Sequence, residues 1–336
     1  MKKQLSLMLV AIPLFLGLSF ITADAADMNY SVTAKIPENQ IDKKLTYFDL
    51  KMTPGQQQTI SLVATNSSDE PIMLTITPHT ATTNKNGVID YSQQLEKKDS
   101  SLIYDFSEYI SGETKIALQP KEIKEVNYQI TMPNESFNGI LLGGFYIKKE
   151  MTTKDEEQEK AVQIRNEYSY VIGVKLSESE GIVTPKLKLN QVKPTLQNYR
   201  TAISANIQNT EPTIISGLEV DAKVYQKNSK KVLHHTEKSQ MAMAPNSNFD
   251  FNISWDNQEL KPGKYYLTLE AKDKTAKHWK FEKEFEIKKE ESNHMNQKAV
   301  EIESNNTIWY SMMLAIAIVV IVILVLLLVM KKKKTK

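Results

Sequence analysis

Short runs in which apolar and polar residues alternate with period two recur over most of this chain, and they restrict its fold more than any other feature. Ile72, Leu74 and Ile76 alternate with polar neighbours, as do Val126, Tyr128, Ile130 and Met132. The longest run is Tyr168, Tyr170, Ile172, Val174 and Leu176, and similar runs occupy 218–224, 249–255, 265–271 and 279–287. Successive side chains of a strand point to opposite faces, so each run places its apolar set on one face of a half-buried sheet. Turn-forming clusters separate the runs: Pro54-Gly55, Asn86-Gly87, Pro133-Asn134, Asn228-Ser229, Pro245-Asn246-Ser247 and Pro262-Gly263. Helical periodicity is almost absent between them. The pattern predicts an all-β chain of two tandem immunoglobulin-like β-sandwich domains.

The ends read differently. From Ile308 to Met330 there is no formal charge. A helix over 307–330, at about 1.5 Å per residue, is long enough for a hydrocarbon core of roughly 30 Å. Trp309 and Tyr310 mark its upstream edge, and Lys331, Lys332, Lys333 and Lys334 open a basic tail that translocates poorly. One C-terminal transmembrane helix is therefore expected to follow the sandwiches. It would give a single-pass type I placement in the cell membrane, with membrane lipid as a partner and the C-terminus cytoplasmic. At the other end Lys2 and Lys3 precede an apolar stretch from Leu5 to Ile21 and the triplet Ala23-Asp24-Ala25, the form of a secretory signal peptide. The expected organisation is a signal peptide over 1–25, a first sandwich over 26–180, a second over 181–290, a stalk over 291–306, the membrane helix over 307–330 and a Lys-rich tail over 331–336.

One boundary has two readings. The charged stretch from Thr152 to Lys160 looks like a linker, which would divide the chain near 150. Gly143 to Ile147 and Val162 to Leu176 read equally as two strands of one long hairpin, which moves the boundary to about 180. The hairpin is preferred, because a long alternating strand needs a partner and the preceding strand is the nearest. The segment 102–110 is expected as a short helix or an irregular edge.

The chain contains no cysteine, so an exported protein of this kind holds its folds by core packing. Its net charge of +2 owes much to the terminal lysines, and no basic face of the kind nucleic acid requires is expected. No motif for a metal hydrolase, a serine hydrolase or a phosphate-binding loop occurs, and no cofactor is expected. His234 and His235 are adjacent in a strand, point to opposite faces and are read as solvated. Trp255 closes an alternating run and is read as core. Two stretches remain as candidate binding surfaces. One carries Tyr47, Phe48 and Asp49; the other runs from Asn134 through Asn138 to Gly143 and Gly144, and its simpler reading is a tightly approached strand.

These same stretches carry a family resemblance. Pro37 with Asn39-Gln40, Tyr47-Phe48-Asp49-Leu50, Pro54-Gly55-Gln56, Asn86-Gly87 with Asp90-Tyr91, and Phe137-Asn138-Gly139 through Gly143-Gly144 resemble the first domain of the WxL-interacting proteins. Asn166, Tyr168, Tyr170 and Gly173, then Met243 to Ser247, Pro262-Gly263-Lys264-Tyr265 and Trp279-Lys280-Phe281 are similar to that family's second domain. The resemblance implies a non-enzymatic surface adaptor of low-GC Gram-positive bacteria. Its partners would be peptidoglycan at the first domain, host extracellular proteins at the second, and WxL-domain proteins of the wall zone. The alternatives are a chaperone-like assembly factor acting by β-strand addition and, further off, a glycan-acting wall enzyme.

Overall fold

A computed structural model describes residues 29–150, 168–302 and 312–323. The expected signal peptide, much of the hairpin loop, Trp309, Tyr310 and Lys331 to Lys334 lie outside these residues.

The first part of the chain contributes β1 (Tyr30–Lys35), β2 (Phe48–Lys51), β3 (Gln57–Asn66), β4 (Ile72–Thr80), β5 (Thr82–Thr83) and β6 (Ile89–Asp90), then β7 (Ile110–Gly112), β8 (Lys115–Leu118), β9 (Ile123–Thr131), β10 (Ile140–Lys149) and β11 (Ser169–Ser177). They form one sheet in the order β1-β3-β9-β7, a second in the order β2-β11-β10-β4-β8, and a small β5-β6 ribbon. The two large sheets close on a core that includes Phe48, Leu62, Leu74, Phe106, Tyr128 and Phe145. Each such side chain, taken from water, stabilises the fold by roughly 1.5–3 kcal/mol. The segment 102–110 contains a 3-10 turn, Phe106–Tyr109, capped by the Asp105 carboxylate, which accepts from the Ser107 amide. β10 and β11 pair antiparallel from Ile140↔Ser177 to Lys148↔Ser169. β2 then covers the outer edge of β11 in parallel, from Phe48↔Val174 to Lys51↔Ser177.

The second part contributes β12 (Leu187–Gln197), β13 (Arg200–Asn209), β14 (Ile215–Gln226), β15 (Val232–Met243), β16 (Ser247–Ser254), β17 (Gly263–Lys272) and β18 (His278–Ile287). Sheets in the orders β12-β13-β16 and β15-β14-β17-β18 enclose Phe249, Phe251, Ile253, Trp255 and Leu267. Asn246 and Gly263, at two of the turn clusters, adopt positive φ. The chain then forms α1 (Lys289–Lys298), seated on the second sandwich and overlapping the 291–306 segment expected as a stalk. Its Ser292 hydroxyl donates to the Leu260 carbonyl at 2.5 Å, and Met295 packs on the core. The reading of His234 as solvated is corrected. It is buried, its ring stacked 3.9 Å from that of Trp255 and its Nδ1 2.8 Å from Asp256, because the adjacent turn folds Trp255 over its strand. His235 does face away and meets Asp221.

The sandwiches touch along an apolar seam of Ala81, Leu142 and Ala244, flanked by Tyr91, Ile140 and Ile214. Hydrogen bonds line it: Thr83 Oγ1 with Ser247 Oγ at 2.6 Å, Ala242 N to Gly87 O at 2.7 Å, and Ile140 N to Pro212 O at 2.8 Å. Gly87, at φ +73°, has no room for a Cβ, which would fall 2.6 Å from the Met241 sulfur.

The C-terminal expectation is also corrected. Among the described residues no helix is long and apolar enough to cross a membrane. The fold class loses its transmembrane helix, and the single-pass type I placement and the lipid contact lose their support.

Candidate functional site

Tyr47, Phe48 and Asp49 enter β2 with three different environments. Phe48 is fully buried between the sheets. Asp49 turns to the outer face of its sheet, where Lys175 meets it at 3.1 Å; its Oδ1 is buried without a hydrogen-bond partner among the described residues. Tyr47 stays 38% exposed. The Gln40 side chain fixes this segment by acting as a short extra strand: its Nε2 donates to the Tyr47 carbonyl at 2.8 Å, and its Oε1 accepts from the Asp49 amide at 3.0 Å.

On the same outer face, Gly144 of β10 and Gly173 of β11 are direct cross-strand partners. Two neighbouring positions without side chains leave a strip of bare backbone, a place where rings can approach a sheet closely. Tyr91 lies on Gly144, where a Cβ would sit 3.1 Å from its ring, and Tyr47 lies over Gly173 at van der Waals distance. Burial, with Tyr47 adding to it, pushes the Tyr91 phenol up to about 12. His79 Nδ1 reaches the Tyr91 carbonyl at 2.8 Å, and the His79 ring stacks on Tyr146 at 5.7 Å. Between Tyr47 and Tyr91 opens a groove of about 320 Å³, with Gly173 in its floor, Val171 and Lys175 along it, and Ile214 of the second sandwich at one wall. Tyrosine presents a flat apolar body with a polar tip. Two of them beside a lysine suit a ring-shaped ligand with hydroxyl edges.

The six candidate residues thus separate. Tyr47 lines the groove, and Gly144 seats Tyr91 beside it. Asp49 sits close by, held against Lys175. Phe48 is core. Gly143 is buried beneath Phe106, whose ring a Cβ would strike, so it serves close packing. Asn138 is exposed and lines a different cavity, between the sandwiches. Tyr91, Gly173 and Lys175 were not singled out as binding residues. A glycine interrupting the longest alternating run was the available signal for Gly173. Among the described residues no group of three or more His, Asp or Glu side chains could hold a metal ion.

Fold and groove together define a class: paired β-sandwiches, packed along a seam, with an aromatic groove on one sheet. The chain belongs to the WxL-interacting protein family. Residues 30–149 match the peptidoglycan binding domain of the WxL Interacting Protein, and residues 159–297 match its host binding domain. The sheet that floors the groove draws β10 from the first matched segment and β11 from the second. No curated protein matches the chain. Solved structures similar to it include a chaperone–tip adhesin complex of CFA/I fimbriae biogenesis, at 9% identity, 75% of this chain, 97% of that one and a TM-score of 0.33. Another is the E. coli chaperone DraB, at 10% identity, 77% and 98% coverage and a TM-score of 0.29. Likeness at that level adds nothing to the functional reading.

Proposed function

We propose that this protein is a non-catalytic surface adaptor, which holds wall peptidoglycan with its first sandwich and presents its second to a protein partner. WxL-domain proteins and host extracellular proteins are the partner classes in view. The observation that carries the glycan part is the groove whose two tyrosines, Tyr47 and Tyr91, lie in the segment matched to the peptidoglycan binding domain and flank a floor of Gly173 beside Lys175, which β11 brings from the second matched segment. A sugar ring would lie against the tyrosine faces, while Lys175 and the phenol hydroxyls would meet its hydroxyl and acetamido groups. Tyr47 is the residue to test, because it is exposed and its side chain is not needed for the core. Tyr47→Ala is expected to weaken retention on purified peptidoglycan about tenfold, equivalent to roughly 1.4 kcal/mol, with the unfolding midpoint little changed. Retention equal to that of the unaltered chain would place glycan binding elsewhere.

A further inference from the structure

A second cavity, of about 500 Å³, lies between the two sandwiches beside the seam. That volume is in the range of ligand-binding clefts. Its walls come from both domains: Tyr104 and Phe137 from the first, Pro212 and Pro245 from the second. Ile103 stands at its rim with 81% of its surface exposed. The charge is one-sided. Glu135 and Glu211 line the cavity, and no Lys, Arg or His does so among the described residues. Behind the wall, Glu178 Oε2 accepts from the Ser136 hydroxyl at 2.6 Å and from the Phe137 amide at 3.1 Å, while its Oε1 is buried without a partner among the described residues. Low-dielectric walls focus such a field onto a cation.

We propose that this cavity docks a segment of a partner protein that combines a basic residue with bulky apolar neighbours. The basic group would meet Glu135 and Glu211, and the apolar side chains would fill the space against Tyr104, Phe137 and the two prolines. The alanine-rich stem peptide of a cell wall supplies an amine but only methyl groups, which would leave these walls uncovered. The cavity and the Tyr47 groove share the Leu142 wall, but the residues tested at each are distinct, so either can fail without the other.

The test is calorimetric titration of the full chain with N-acetyl-Phe-Lys-Leu-amide and with its Phe-Glu-Leu counterpart. The lysine peptide is expected to bind at least tenfold more tightly than the glutamate one. The double variant Glu135→Gln, Glu211→Gln is expected to lose at least tenfold for the lysine peptide, while its retention on peptidoglycan stays unchanged. Equal binding of the two peptides, no binding of the lysine peptide, or an unaffected double variant would overturn the proposal. Tighter binding of an Ala-Glu-Lys-Ala stem tetrapeptide would overturn it in favour of a wall ligand.

Discussion

At the scale of single residues, neighbours in sequence have opposite duties. Phe48 is core and Tyr47 is ligand surface, although one peptide bond joins them. Phe48→Ala is therefore expected to lower stability by about 3–5 kcal/mol, read from the urea midpoint, where Tyr47→Ala changes it little. Gly143 gives a second case. A methyl there collides with the Phe106 ring, and overpacking of this kind costs about 1–3 kcal/mol. Gly143→Ala should show that loss, and adding Phe106→Leu should recover part of it; no recovery would mean the strain lies in the backbone. Tyr91 makes stability depend on pH. Its folded pKa, about 12, stands above the ordinary 10.0 because burial disfavours the phenolate. The folded state thus holds the proton more tightly, and this contribution is complete below about pH 10 and is lost as pH rises towards 12. The urea midpoint is expected to fall between pH 9 and pH 11, and Tyr91→Phe should flatten that slope. Buried Tyr128 shifts in the same direction, so part of the slope should persist.

At the scale of elements, the β10–β11 hairpin matters most. β11 brings Ile172, Val174 and Leu176 into the first core and offers its edge to β2. We propose that the folding unit extends to about residue 180, past the 149 at which the peptidoglycan-binding match ends. A fragment over 26–149 would leave β10 and β2 unpaired on that side and the core open. It should show little amide protection in hydrogen exchange, whereas 26–180 should protect β3, β9 and β10; equal protection would refute the longer unit. β2 also bears on strand addition, since it occupies the β11 edge from Val174 to Ser177. β4, β9, β11, β14, β16, β17 and β18 were legible in the sequence because their apolar residues alternate. β2, β5, β6 and β7 were not, because two to four residues carry no period. α1 was missed for a related reason: its anchoring rests on Ser292 and Asn296, which bond to Leu260 across more than thirty residues, and not on an apolar stripe.

At the scale of the whole molecule, the two family domains are packed together. The β5–β6 ribbon of the first reaches the second through Thr83 and Gly87, and Asp99 accepts from Gln208 at 2.7 Å and also meets Asn248. Both the groove and the interdomain cavity have walls from each sandwich, so their shape depends on this seam. Gly87→Leu would drive a side chain into Met241 and force a positive φ on a residue that resists it. Calorimetry is expected to show one cooperative transition for the unaltered chain and two for the variant. A single unshifted transition in the variant would mean the seam does not couple the domains.

What the sequence determined by itself was local: the β character, the inward face of the strands that alternate, the main turns and the family. Alternation specifies burial, because the face carrying apolar side chains must leave water whatever covers it. Tertiary structure alone decided the groove and the cavity. Tyr47, Tyr91, Gly144 and Gly173 are tens of residues apart and meet only because two sheets close on one core and set the β10–β11 register. His234 was misread for the same reason, since a polar ring beside a turn becomes buried only when a distant Trp255 lies over it. The membrane helix expected from the apolar run at the C-terminal end is not supported, since among the described residues no helix is long and apolar enough to cross a membrane. Hydrophobicity along a chain says which residues avoid water, and the folded structure decides what covers them.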